Sequence, residues 1–168
     1  AAMFIEEDEE DILKFSTRHI NEVYIAENDK GRVDTIFRKF KMSARAAIQK
    51  FGTNVDFESI QKKNPYEEVD IIHAIYPRDD FDVTKQDKKN MPFESVYMTG
   101  KGEELSVSGF REFPFVIPRY LKASHEIYGR SPAMTALPDV KMLNEMSKTT
   151  IKAAQKQVDP PLLVPDDG

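Results

Sequence analysis

The sequence contains no cysteine and no tryptophan. Without cysteine the chain has no disulfide, no zinc–thiolate site and no thiol nucleophile, a usage that fits a reducing compartment. Glycine is sparse, seven in 168 residues. No phosphate-cradling glycine loop, dinucleotide fingerprint or Gly-x-Ser-x-Gly elbow can be found among them. Long apolar runs are also missing: none approaches the roughly 18 residues of a membrane-spanning helix. A basic excess is absent too. Lys and Arg number 24 against 29 Asp and Glu, for a net charge of −5. That argues against a chain that coats nucleic acid by bulk electrostatics, although a local basic surface remains open.

What is present is the composition of a folded protein. Hydrophobic residues make up 40% and charged residues 32%, with eleven Phe and six Tyr. The length suffices for one domain with a real core, or for a domain with an appendage. Residues 6–11 are six consecutive acids, expected to repel one another into a solvated loop or edge. From Ile12 to Ile20 the pattern is extended. The segment EVYIAENDKGRVDTIFRKFKM then reads as a hairpin, with Gly31 suited to a positive φ in its loop. Ser43 is placed to N-cap a helix over ARAAIQKF, with Gly52 as its C′ residue. A second short helix, FESIQKK, is expected from a cap at Asp56. EEVDIIHAIYPR, apolar on both faces at its centre, predicts an interior strand. A charged loop over residues 78–91 follows. PFESVYMTG and EELSVSGF then form another hairpin around Gly100-Lys101-Gly102. FPFVIPRYL reads as a last strand, held to an edge by Pro114 and Pro118.

The segment from Tyr128 to Val164 is different in kind. Gly129 permits a tight turn, Arg130 is a cation within it, and Ser131-Pro132 is an N-cap with proline at N1. Pro138 is expected to restart or kink the helix. Val140, Leu143, Ile151, Ala154 and Val158 recur at helical spacing along one face, with Ser147 on the same stripe. The opposite face carries Lys141, Lys148, Lys152 and Lys156 against Asp139 and Glu145. Pro160-Pro161 stops the helix. The expected fold is therefore α+β: a mostly antiparallel β-sheet with short inserted helices over residues 1–125, then a long C-terminal helix within 126–168. The chain opens in what reads as mid-strand and stops at a turn, as a piece of a longer protein would.

Candidate chemistry is thin. None of the histidines, His19, His73 and His125, has metal-ligand or triad spacing with another. His73 lies mid-strand and reads as a satisfied, partly buried residue. His125-Glu126 is an acid–base pair only in sequence, because neighbours on an extended chain face opposite ways. Asp79, Asp80 and Asp82 lack the turn glycine and closing Glu of a calcium loop. Neither catalysis nor a cofactor is expected.

Three strings carry a resemblance. IYGRSPAMTALPDVKMLNEM, AAQKQVDPPLLVPDDG and the upstream FIEEDEEDILKFSTRHINEVYIAENDKGRVDTIFRKFKMSARAAIQKFG together resemble, in order, the head-to-tail connector (portal) proteins of short-tailed bacteriophages and related prophages. The resemblance implies a structural subunit of a dodecameric ring at one vertex of the phage head. Double-stranded DNA passes through such a ring during packaging and ejection. Its implied partners are other copies of itself, terminase, scaffold and capsid proteins, tail proteins and DNA bound without sequence preference, with no membrane. Its implied place is the virion, reached by assembly in the host cytoplasm. The β-rich part would be the outer wing, and the helix after Ser131 the path toward a stem and clip that these residues do not include. Gly129, Arg130, Ser131, Pro132, Val140, Leu143, Ile151 and Val158 are the expected interface or structural-turn residues, and Lys148, Lys152 and Lys156 the expected basic face. The alternative is a monomeric protein-binding adaptor of a tail or scaffold.

Overall fold

The structure, a computed structural model, describes residues 1–8, 12–52, 55–82, 84–85 and 87–160. The chain divides into two compact units, Ala1–Pro118 and Arg119–Gly168. Among the described residues the strands are β1 (Ala2–Asp8), β2 (Ile12–Arg18), β3 (Val23–Glu27), β4 (Val33–Ser43), β5 (Glu68–Pro77), β6 (Phe93–Thr99), β7 (Glu104–Phe110) and β8 (Phe115–Val116). The helices are α1 (Ala44–Phe51), α2 (Val55–Lys63) and α3 (Pro132–Val158). The fold is α+β, and every strand pairing is antiparallel.

The strands form two sheets rather than one. A three-stranded sheet has the order β2-β1-β8, and a five-stranded sheet has the order β3-β4-β5-β6-β7. β5 is central in the larger sheet, which explains its apolar character on both faces. Phe115 of β8 pairs with Phe4 of β1, so the end of the first unit closes on its beginning. The acidic run is not simply a loop. Glu6, Glu7 and Asp8 continue β1 and pair with Lys14, Leu13 and Ile12, which sets Lys14 opposite Glu6, a favourable cross-strand pair of charges. The remaining acids, residues 9–11, lie outside the described residues.

Local chemistry explains several joints. Asn28 Oδ1 accepts hydrogen bonds from the Lys30 and Arg32 amides, and Gly31 takes φ 70° in the β3–β4 turn. Ser43 Oγ accepts from the Ala46 amide at 3.4 Å, turning β4 directly into α1. Gly52 ends α1 with φ 81°. α2 begins at Val55, so Asp56 lies in its first turn rather than at its cap. The last strand contracts to Phe115–Val116, flanked by the prolines that limit it.

Two hydrophobic clusters occupy one face of the five-stranded sheet. Ile25, Ile36 and Ile75 pack with Ala2, Phe4 and Phe115 of the small sheet. Val69 and Ile71 pack with Ala44 and Ala47 of α1 and Phe57 of α2. Between the clusters runs a polar row: Arg38 pairs with His73 across β4–β5, and His73 with Tyr97 across β5–β6.

Candidate assembly surface

The second unit is organised by one closed loop. Leu121 and Arg130 exchange two backbone hydrogen bonds, at 2.7 and 3.3 Å, which draws residues 121–130 into a ring. His125 sits at the tip with φ 65°. Glu126 does not serve His125. The Arg130 guanidinium grips both of its carboxylate oxygens, with Nε to Oε2 at 2.9 Å. That fork pulls the Glu126 carboxyl below its ordinary pKa and raises Arg130. Gly129 is required by proximity, since a Cβ there would stand 2.9 Å from Arg119 Cβ and 3.0 Å from its Cα. The Arg119 guanidinium in turn donates to the Ile127 carbonyl at 3.1 Å. A cavity of about 560 Å³ is lined by Glu126 to Arg130 together with Met134 and Thr135.

The helix follows without a break. Ser131 Oγ accepts from the Met134 amide at 3.3 Å, and Pro132 occupies the first helical position, where its missing N–H costs nothing. Pro138 does not restart the helix: α3 runs through it for 27 residues, about 40 Å at 1.5 Å per residue. Position 138 lies on the second turn, where the only amide forfeited is the one to Met134, and the Ser131 cap fixes the turn before it. At the far end the Asp159 amide donates to the Gln155 carbonyl.

No residue of α3 is buried. Val140, Leu143, Ile151 and Val158 are between 47% and 87% exposed along one stripe. Leu137 and Met146 flank the stripe in the first half and Met142 lies on the far side, all three exposed, a feature that the stripe spacing alone did not pick out. By helical spacing Lys156 and Lys152 lie away from the stripe and Lys148 at its flank, about a quarter turn round. Lys148 is held by Glu145 at 3.2 Å. Gly129, Arg130, Ser131 and Pro132 are brought together in the one turn, while the apolar and lysine positions are spread along the helix.

Of the other sequence candidates, Asp82 and His73 have structural partners. Asp82 accepts from the Thr84 amide and hydroxyl, at 3.0 and 2.7 Å, and pairs with Lys85, so it closes a turn. No group of three or more His, Asp or Glu that could hold a metal occurs among the described residues. His73 is nearly fully buried, shares a 2.9 Å hydrogen bond with Ser95 Oγ and stacks on Tyr97 with centroids 3.8 Å apart. Burial first, then the charges of Lys50, Arg38 and Arg18, push its pKa down to about 3. Burial, helped by Glu6, pushes Tyr97 up to about 12. The cross-strand grouping of these residues was not read from the sequence. Only the register of β4, β5 and β6 reveals it.

Residues 1–167 match the family described as bacteriophage head to tail connecting protein. The portal protein of Salmonella phage epsilon15 is 34% identical over 172 residues, which cover 98% of this chain and 31% of the relative. The probable portal protein of Bordetella phage BPP-1 is 36% identical over 151 residues, covering 86% of this chain and 27% of the relative. The chain thus spans less than a third of the length of either relative. It belongs to the bacteriophage head to tail connecting protein family.

Proposed function

We propose that this chain is part of a portal subunit: a structural element of a dodecameric ring at the head–tail vertex of a phage particle, through which double-stranded DNA is packaged and ejected. In this reading residues 1–125 form the peripheral wing, and residues 126–168 lead toward the channel-forming stem. The turn at Gly129, Arg130, Ser131 and Pro132 starts helix α3. The stripe of Val140, Leu143, Ile151 and Val158 meets a neighbouring subunit, in a ring whose interfaces each join two different faces. Lys148, Lys152 and Lys156 form a basic face beside the path of DNA, touching phosphates without reading bases. Terminase, scaffold, capsid and tail proteins are its partners, the virion is its destination after assembly in the host cytoplasm, and its role is geometric rather than catalytic.

The observation that carries this reading is α3. A helix draws most of its stability from packing an apolar face, yet this one has such a face and buries none of it. Light scattering after size exclusion, on the full-length protein that contains these residues, tests it. A single species of about twelve subunits is expected, with collapse to smaller species on combining Leu143→Asp and Ile151→Asp. A stable monomer across a wide concentration range overturns the ring and leaves the adaptor reading. The exposed apolar residues Leu13, Phe15 and Val116 of the small sheet would then be the surface to pursue.

A further inference from the structure

The polar row between the two hydrophobic clusters does not end at Tyr97. Cross-strand partners share a face, so the buried Ala2 and Phe4 identify which side of the small sheet points inward. Their register partners on β2 are Arg18 and Ser16, and the next inward pair is Lys14 opposite Glu6. Phe4 meets His73 edge-on at 6.2 Å, which brings this inward face over the Arg38–His73–Tyr97 row. Lys50 closes the group from α1, its Nζ 3.3 Å from the Tyr97 hydroxyl and 4.4 Å from the centre of that ring.

Lys14 and Arg18 of β2, Arg38 of β4 and Lys50 of α1 therefore act on one another across this seam. Arg38 is engaged by Glu22 at 3.0 Å and lies over the Phe40 ring at 3.9 Å. Glu6 acts on Lys50 from the small sheet. Among the described residues these two carboxylates leave two positive charges in excess, within a chain whose net charge is −5. The crowding has a physical signature. Desolvation lowers the Lys50 pKa first, and Arg18, Arg38 and Lys14 lower it further against the pull of Glu6. Arg18 likewise disfavours protonation of both Arg38 and His73. Between Lys14 and Arg18 on the inward face of β2, Ser16 Oγ is buried with no hydrogen-bond partner among the described residues. A buried hydroxyl left unpaired is costly, and like charges crowd here with Arg18 and Arg38 half-buried and Lys14 and Lys50 exposed at the rim.

We infer that Lys14, Ser16, Arg18 and Lys50 form a binding site for a phosphate-class dianion. Two negative charges balance the excess. Several acceptor oxygens suit a guanidinium fork and two ammonium groups, and one of them satisfies the Ser16 hydroxyl. Arg38 supports the site from beneath and is already occupied by Glu22. Bound there, the anion ties the β1–β2 hairpin to α1 across the seam between the two clusters. The inference does not depend on ring assembly.

Inorganic phosphate is the probe. Thermal unfolding and titration calorimetry on the wild-type chain at pH 7.5, in phosphate against sodium chloride of equal ionic strength, should show saturable stabilisation by phosphate alone. Arg18→Gln and Lys50→Gln should each weaken phosphate binding about tenfold, the loss of one charge-assisted contact. Lys152→Gln, on α3, should leave it unchanged. Circular dichroism without phosphate keeps the test valid, because a variant that has lost its fold is replaced by Ser16→Ala, expected to bind more weakly with its structure intact. Stabilisation no greater than that of chloride, or undiminished in the folded variants, overturns the site. So does equal weakening by Lys152→Gln, which would mean diffuse attraction. A short DNA duplex that binds where free phosphate does not would overturn it as well.

Discussion

His73 gives the sharpest test of the packing described for the first unit. Its imidazole is buried between Phe4, Ser95 and Tyr97, with Lys50, Arg38 and Arg18 as the charges acting on it. The folded chain holds its pKa at about 3, against 6.5 for the ordinary value. Above pH 6.5 the ring is neutral in folded and unfolded chains alike, and the full stability is present. As pH falls below 6.5 the unfolded chain takes up a proton that the folded chain refuses, so stability is lost progressively until about pH 3. The span of 3.5 units corresponds to at most about 5 kcal/mol, and to about 3 kcal/mol by pH 4.5. Urea unfolding, followed by tyrosine fluorescence at several pH values between 7.5 and 4.5, measures this directly. His73→Gln keeps a hydrogen-bonding group toward Ser95 without a titrating ring. It should be less stable than wild type at pH 7.5, because it loses the stacking on Tyr97, yet its stability should fall less steeply with acid. The gap between the two proteins should close by about 3 kcal/mol at pH 4.5. Parallel curves for the two proteins would refute the argument, since the acid sensitivity would then belong to carboxylates elsewhere.

Two further predictions follow from close approaches and caps. Gly109→Ala should destabilise the chain by about 3 kcal/mol in the same urea assay, because a Cβ there would lie 2.9 Å from the Phe93 carbonyl oxygen and nearer still to that of Lys88. Ser131→Ala should cost α3 about 1 kcal/mol, visible as lower helicity near 222 nm in circular dichroism, while the urea midpoint of the β-rich unit stays unchanged.

Much of the local structure was legible without coordinates. Ser43 and Ser131 cap the helices they were expected to cap, and Gly31 and Gly52 take the positive φ their positions demanded. The apolar run around Ile71 and Ile75 became the central strand. These readings succeeded because caps, turns and periodicity act between residues a few positions apart. The acidic run was legible only in part. Like charges argue for a solvated loop or edge, and Glu6 to Asp8 pair with β2 alone beyond the reach of β8, but that Glu6 faces Lys14 depends on a partner on another strand.

The sequence by itself determined the α+β character, the capped helix from Pro132 to Val158 and, through its likeness to known relatives, the family. Tertiary structure alone decided that the strands divide into two sheets. It alone decided that Phe115 returns to pair with Phe4, and that Arg38, His73, Tyr97, Lys50 and Arg18 share one seam. The reason is that strand register is a long-range choice. It is made by whichever pairing buries the most apolar surface across segments far apart in the chain, and a slip of one residue would turn every one of these side chains to the other face.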